Sequence, residues 1–274
     1  MQESITNAVM NFLLVSLPEE SIWLISILIL MKRFDLLDKY MWRDKIKYLI
    51  FPILLSSISI NFLKYIIVAP RLVISISAIL TIYVGIIYIL KAPENNILNE
   101  KIPYIKIFFY VLLSFAVLIV LVECLYSPII LTYVEKSIIE INSVWTMNFL
   151  LSTPARLIQF FMIIILLSLQ NRKAYLNIMQ SIFSDNKISL TIIIFISTLI
   201  IFWTLLINIF GNYKILSQYG FNEQILFSIL LFLVPSILLI LMIYLVILFI
   251  EKINKMQKSH QNMIENFDDD INNY

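Results

Sequence analysis

Seven long apolar runs divide the sequence, and they constrain its fold more than any other feature. They cover residues 9–31, 47–68, 71–91, 103–126, 146–169, 188–210 and 223–250, and the breaks between them are polar or contain Pro, Gly or Asn. A helix needs roughly 20 apolar residues to cross about 30 Å of hydrocarbon. Only 14% of the 274 residues are charged, whereas soluble domains carry roughly 25%. We therefore predict an all-α, polytopic seven-helix transmembrane bundle over residues 1–250, followed by a helical or disordered cytoplasmic tail over residues 251–274.

The scarcity of glycine, cysteine and histidine excludes several kinds of chemistry. Three glycines are too few for the Gly-rich loops that bind phosphate groups. The single cysteine, Cys124, excludes an internal disulfide, and a single histidine, His260, leaves no set of Cys and His metal ligands. We expect a non-catalytic protein without a cofactor, a metal or a nucleic-acid partner, and the lipid bilayer is its first partner.

The distribution of positive charge predicts the orientation of the chain. When the N-terminus is placed outside, fifteen of the twenty Lys and Arg residues fall in loops on the cytoplasmic side. Cytoplasmic loops of membrane proteins carry such an excess of Lys and Arg. The odd number of runs agrees with this arrangement, so we predict an N-terminus outside and a C-terminus inside.

A short repeat links the first and fifth runs. Met10–Leu14 and Met147–Leu151 both read MNFLL, and each is followed closely by a proline, Pro18 or Pro154. The runs then divide into three, one linking run over residues 103–126, and three more, which predicts a 3+1+3 parallel repeat. Two alternatives stay open: duplicated helices simply pack together, and each proline separates a short apolar segment from a longer helix.

Six ionisable residues lie within or beside the apolar runs, where charge is costly and is usually functional. They are Glu19, Glu20, Lys64, Arg71, Glu123 and Arg156. On the predicted topology all six lie toward the outer ends of their helices, so we predict that they line an outward-facing ligand-binding vestibule, with Glu123 deepest in an apolar run. The alternative is that the cations extend to the headgroups and the acids stay in the interface.

Uncharged polar residues recur within the runs as well. The second run contains Ser56, Ser57, Ser59 and Asn61. Such residues usually form hydrogen bonds between helices, and we expect packing contacts here and not a substrate path.

The tail after Ile250 has the spacing of a short coiled coil. Its apolar or partly apolar residues recur at alternating three- and four-residue steps, at Ile253, Met256, His260, Met263 and Phe267. The tail could extend the seventh helix and form a homodimer or bind a cytoplasmic signalling partner. A frayed polar end that finishes with Asp268–Asp270 is the alternative.

Two segments resemble the membrane modules of Firmicute Agr-type peptide quorum-sensing systems. They are NFLLVSLPEESIWLISILILMKRFDLLD, residues 11–38, and FLKYIIVAPRLVIS, residues 62–75. The resemblance implies a receptor-like bundle in a bacterial cytoplasmic membrane that senses an extracellular peptide and signals through its C-terminal helix. The kinase and ATP-binding domains of such sensors are missing, so any output would pass to a partner.

Sensing is therefore the first functional prediction, and transport of a small solute or peptide is the alternative. Parallel repeats enclose a site between their halves, as in sugar-efflux carriers of the 3+1+3 kind. The Pro–Gln pair of those carriers is absent here, because Glu19 follows Pro18 and Ala155 follows Pro154. Few glycines and no charge predicted at mid-membrane depth also count against a coupled carrier.

Overall fold

The computed structural model describes residues 2–33, 42–91, 103–120, 144–170 and 186–210, together with single positions at 122, 134, 140, 141, 223, 226 and 237. Within these residues the regular structure is helical, and they contain no strand. The all-α prediction is confirmed for this part of the chain. Six helices, which we label α1 to α6 in chain order, account for it.

Three of the six helices contain a π-helical segment. These are α1 (α-helix Gln2–Asn11, π-helix Phe12–Ser16, α-helix Leu17–Leu30), α2 (α-helix Trp42–Asn61, π-helix Phe62–Ile67) and α4 (α-helix Tyr104–Ser114, π-helix Phe115–Val120). The other three are uninterrupted α-helices, namely α3 (Arg71–Lys91), α5 (Trp145–Gln170) and α6 (Asn186–Phe210).

Four helices in the described residues are long and apolar enough to cross a membrane. Their apolar spans are Ile5–Leu30, Ile46–Ile67, Arg71–Lys91 and Trp145–Ser168. Shorter apolar stretches occur in α4 and α6, over Tyr104–Leu118 and Leu190–Phe202. The first six predicted runs each coincide with a helix, whereas most of the seventh run, 223–250, and the whole tail, 251–274, lie outside the described residues.

The second half of helix α1 is largely enclosed by its neighbours. The helix packs against α2, α4 and α5, and Trp23, Leu24 and Ile27 on its second half are at most 1% exposed. The Trp23 ring lies 5.1 Å from that of Phe115 in α4. A helix that is apolar all round is typically buried, and here the enclosure means that polar groups on α1 face other helices.

Helix α5 has the opposite character. Its outer face exposes Leu157, Phe160 and Phe161, whereas the polar residues Asn148 and Gln159 are buried. Apolar residues outside and polar residues inside are the arrangement that a lipid environment favours, because polar groups in a membrane turn toward the protein interior.

The alternative of a break at each proline is not observed, because α1 and α5 continue through Pro18 and Pro154. A proline cannot donate a backbone hydrogen bond. In α1 the turn before Pro18 is π-helical, and the N–H of Leu17 bonds to the carbonyl of Phe12, five residues back. The helix therefore accommodates the proline by changing its hydrogen-bond pattern and does not end there.

A tight hairpin joins α2 to α3. Val68 has a left-handed backbone with φ of 55°, and the N–H of Ala69 closes the turn on the carbonyl of Leu63 at 2.9 Å. Further along the hairpin Gly85 of α3 is buried against Pro52 of α2, so closely that an added β-carbon would overlap the proline ring. This contact fixes how near the two helices approach.

Candidate functional site: a polar cluster between three helices

The main concentration of polar contacts in the described residues lies where α1 meets α2 and α5. We call it the central polar cluster. Its members are Asn11, Ser16, Glu19 and Glu20 of α1, Ser56, Ser57, Asn61 and Tyr65 of α2, and Asn148, Arg156 and Gln159 of α5.

An ion pair joins α1 to α5 in this cluster. Nη2 of Arg156 lies 2.9 Å from Oε2 of Glu19, and both side chains are largely buried, at 15% and 25% exposure. Nη1 of Arg156 also donates to the backbone carbonyl of Val15, at 2.9 Å. The guanidinium group thus holds a carboxylate and a main-chain oxygen of the same helix.

Two asparagines form a second link between the same helices. Nδ2 of Asn148 donates to Oδ1 of Asn11 at 2.6 Å, and both residues are buried. Asn11 and Asn148 are 137 residues apart, as are Glu19 and Arg156. Since both contacts have the same separation, α1 and α5 run parallel and in register along this face.

The contacts between α1 and α2 run in the opposite direction. Nδ2 of Asn61 donates to Oγ of Ser16 at 2.8 Å. Nearer the start of α1 the Tyr65 hydroxyl interacts with Asn11, and nearer its end Ser56 lies beside the carboxyl group of Glu20. As the residue number rises along α1, the number of its partner in α2 falls, so these two helices are antiparallel.

Helix geometry explains why neighbouring acids face different partners. Successive residues of a helix point about 100° apart, so adjacent acids face different neighbours. Glu19 meets Arg156 of α5. Glu20 meets Ser56 of α2.

The π-helical segments supply backbone acceptors to the cluster. Arg156 donates to Val15, within the π-helix of α1. Nε2 of Gln159 donates to the carbonyl of Leu118 at 3.1 Å, within the π-helix of α4. Two polar residues of α5 are thus held by backbone that departs from regular α-helix. Such π-helical segments occur frequently at functional sites.

The cluster lies near the middle of its helices, which corrects the predicted position of three charges. Glu19 is the fifteenth of the 26 residues of span Ile5–Leu30, and Arg156 is the twelfth of the 24 residues of span Trp145–Ser168. Glu20 follows Glu19 directly. The predicted runs 9–31 and 146–169 have nearly the same bounds as these spans, so the lengths of the runs already place Glu19 and Arg156 near mid-helix and not toward an outer end.

The other predicted vestibule residues are not brought to the Glu19–Arg156 pair. Lys64 lies in the π-helix of α2, with Nζ 5.4 Å from the centre of the Tyr65 ring. Arg71 is the first residue of α3. Glu123 lies outside the described residues. The vestibule of six charges therefore stays a prediction, and the structure brings together Glu19, Glu20 and Arg156.

Several buried polar atoms of the cluster have no hydrogen-bond acceptor or donor among the described residues. They are Oε2 of Glu20, Oγ of Ser56, Oγ of Ser57, Nε of Arg156 and Oε1 of Gln159. Unsatisfied polar groups are costly inside a protein and mark places where a bound ion or water belongs. The cluster therefore contains polar atoms that are available to contact a bound ion, water or solute.

Sequence reasoning identified the charges of the cluster and missed their partners. The two MNFLL segments contain Asn11 and Asn148, and a gap-free alignment of these segments places Glu19 opposite Arg156. An alignment on the two prolines instead places Glu19 opposite Ala155, so it does not indicate the Glu19–Arg156 pair. Gln159 gave no signal beyond its being a polar residue in an apolar run.

Comparison with known proteins leaves the family open. The chain matches no family profile, and no curated protein or solved structure is significantly similar to it. In the described part of the chain no group of three or more His, Cys, Asp or Glu residues is placed to hold a metal ion. The central polar cluster is therefore the feature of this chain that bears on its function.

Proposed function

We propose that this chain is a non-catalytic membrane carrier for a small zwitterionic solute, an amino acid or a short peptide. The observation that carries the proposal is the partly buried Glu19–Arg156 ion pair at the middle of two parallel apolar helices. Ionisable groups inside membrane spans are costly and mark substrate or ion pathways. An ion pair at mid-helix also weakens one objection to transport, the lack of charge at mid-membrane depth.

The surroundings of the pair also support a carrier. Substrate sites of secondary transporters lie near the bilayer midplane, at the interface between repeats and beside irregular helix backbone. Here α1 supplies a π-helix and Pro18 next to the pair, and α5 supplies Pro154 two residues before Arg156.

The register of α1 and α5 supports the wider architecture. We propose a seven-helix bundle arranged as a 3+1+3 parallel repeat in a bacterial cytoplasmic membrane. In such a repeat, residues at equivalent positions meet where the axis that relates the halves passes between them. Asn11 and Asn148 occupy equivalent positions of the MNFLL segments, and the Glu19–Arg156 pair keeps the same register.

The charges of the pair indicate the class of solute. A guanidinium group binds a carboxylate through two parallel hydrogen bonds, and a carboxylate binds an ammonium group. A zwitterion offers both groups, so it could separate Glu19 from Arg156 and satisfy each one. An uncharged sugar would break the pair without replacing its charges.

Sensing of an extracellular peptide stays the alternative proposal. The termini of a peptide carry the same two charges, so the cluster could bind one without moving it across the membrane. The output that the sequence predicts depends on a cytoplasmic partner or a homodimer formed through residues 251–274, which lie outside the described residues. Binding without uptake is the result that would favour this alternative.

Uptake into liposomes tests the proposal. The full chain is reconstituted and offered radiolabelled amino acids and dipeptides, with empty liposomes as the blank. We expect uptake of at least one of them by the wild type and a decrease of roughly tenfold or more in Arg156→Gln, because a hydrogen bond to a charged group contributes about 1.5–3 kcal/mol.

The matched control for this experiment is Ser152→Ala. Ser152 lies one helical turn before Arg156, and its hydroxyl donates to Phe149 of its own helix at 3.2 Å. Solute uptake by the Ser152→Ala variant should equal that of the wild type. Binding of a peptide by the purified protein without uptake of any solute would overturn the carrier proposal.

A further inference from the structure

The carboxyl group of Glu20 is set apart from the ion pair beside it. Glu20 is 3% exposed, and its Oε2 makes no hydrogen bond with any described residue. The charged groups that act on it are Glu19 and Arg156, and both nitrogens Nη1 and Nη2 of Arg156 already bond to Val15 and Glu19. Two carboxyl groups therefore share one guanidinium, which leaves this region short of one positive charge when both are ionised.

Helix α2 places one hydroxyl group, that of Ser56, within reach of the Glu20 carboxyl group, with which it interacts. Ser56 and Ser57 are fully buried, and neither Oγ forms a hydrogen bond of ordinary geometry within the described residues. Ser57 is the next residue, and its backbone carbonyl accepts from Asn61 at 2.8 Å. Three buried side-chain oxygens without hydrogen bonds of ordinary geometry thus occur on facing segments of α1 and α2.

We propose that Glu20, Ser56 and Ser57 bind a sodium ion that is coupled to transport by the Glu19–Arg156 pair. A carboxylate and hydroxyl groups are hard oxygen ligands, the kind that alkali and alkaline-earth cations take. A buried charge is tolerated when it is paired or when it coordinates a cation, and a single positive charge matches the deficit next to Arg156. Coupling Na⁺ sites of carriers lie beside the substrate site at the same depth.

The sodium site depends on the proposed function only for its coupling role. Binding and transport are therefore measured separately. The full chain in lipid nanodiscs is titrated with radioactive Na⁺ at constant ionic strength, with choline as the replacing cation. The wild type should bind Na⁺ saturably, and Na⁺ should raise its unfolding temperature relative to choline.

Variants identify the ligands. Glu20→Gln should abolish Na⁺ binding, and Ser56→Ala should weaken it by roughly tenfold, the loss expected for one contact to a charged group. Ser59→Ala is the matched control, because the Ser59 hydroxyl is half-buried on the same helix and donates to Leu55 of that helix at 2.8 Å. It should bind like the wild type. If Glu20→Gln does not fold, the wild type and Ser56→Ala still decide the question.

Each outcome has one meaning. A wild type that binds no Na⁺, or a Glu20→Gln variant that binds it normally, overturns the sodium site. Solute uptake driven by a pH gradient without Na⁺ binding also overturns it and assigns a proton to the coupling role. Na⁺ binding that is lost in Glu20→Gln, without uptake of any solute, supports the site and overturns the carrier function.

Discussion

Asn148 donates a 2.6 Å hydrogen bond to Asn11, and the two residues are the same letter of two identical five-residue segments. Eight residues further along both helices, Arg156 meets Glu19 in the same register. Both contacts join residues that are 137 positions apart, so one side of α1 meets one side of α5 in parallel. An amide pair and an ion pair therefore align the two helices near the middle of the spans.

The ion pair should stabilise the fold mainly because each partner would otherwise be a partly buried, uncompensated charge. Arg156→Gln removes the cation and leaves Glu19 behind, and we expect a loss of about 3 kcal/mol in the free energy of unfolding. Glu19→Gln combined with Arg156→Gln should recover most of that loss. Thermal unfolding in detergent, followed by tryptophan fluorescence, gives the comparison.

Thr153→Val is the control for this series. Thr153 lies on the exposed side of α5 and donates to Phe149 of the same helix at 2.7 Å. An Arg156→Gln variant no less stable than Thr153→Val, or a double variant less stable than either single one, would show that the two charges do not pair.

The asparagine pair should contribute less than the ion pair. Hydrogen bonds between side chains of membrane helices average about 0.6 kcal/mol, and the largest are about 1.7. A double-mutant cycle with Asn11→Leu and Asn148→Leu should give a coupling energy of about 1 kcal/mol. The short 2.6 Å distance and the burial of both residues favour the upper part of that range. A coupling energy of zero would contradict the contact.

The close approach of α2 and α3 should make Gly85 intolerant of a side chain. Gly85→Ala places a β-carbon against the Pro52 ring, and forcing an extra carbon into a packed interface costs about 1–3 kcal/mol. The unfolding temperature should decrease accordingly. In a Pro52→Gly background the same Gly85→Ala change should cost nothing, and an equal loss in both backgrounds would show that the proline is not the obstacle.

The hairpin between α2 and α3 should be improved by a glycine. Val68 is 78% exposed and has φ of 55°, a left-handed conformation that costs an L-residue roughly 1–2 kcal/mol. Val68→Gly should therefore raise the unfolding temperature. The control is Val84→Gly, at an exposed position inside α3, which should destabilise by about 1 kcal/mol. A loss of stability in Val68→Gly would contradict the left-handed turn.

The helices could be predicted from the sequence because their signal is local. Runs of about twenty apolar residues predicted each of the six described helices, including those that contain Pro18 and Pro154. The effect of those prolines could not be predicted in the same way. Pro154 lies inside a regular α-helix, whereas the turn before Pro18 is π-helical, and the π-helix Phe12–Ser16 is not visible in the amino-acid pattern.

The site was predictable only in part, because contacts between distant segments depend on register. The charges Glu19, Glu20 and Arg156 are visible as exceptions within apolar runs. The partners of these charges follow from which helix lies on each face of α1. Ser56 and Ser57, predicted as packing residues, have buried hydroxyls without a hydrogen bond of ordinary geometry, and Ser56 interacts with Glu20. Lys64 and Arg71 have charges as conspicuous as those of Glu19, yet the structure places them elsewhere.

Crosslinking of α1 to α5 tests the central claim most directly. In a Cys124→Ala background, which removes the only native cysteine, two pairs of cysteines are introduced at equivalent positions. One pair is Asn11→Cys with Asn148→Cys, and the other is Glu19→Cys with Arg156→Cys. A protease site between residues 92 and 102 then shows whether a short bifunctional thiol reagent has joined the two fragments.

Crossed pairs provide the comparison, namely Asn11→Cys with Arg156→Cys and Glu19→Cys with Asn148→Cys. Parallel helices in register predict efficient crosslinking of both equivalent pairs and little of either crossed pair. Faster crosslinking of the crossed pairs would mean antiparallel helices, and it would contradict the register, the ion pair and the site built on them.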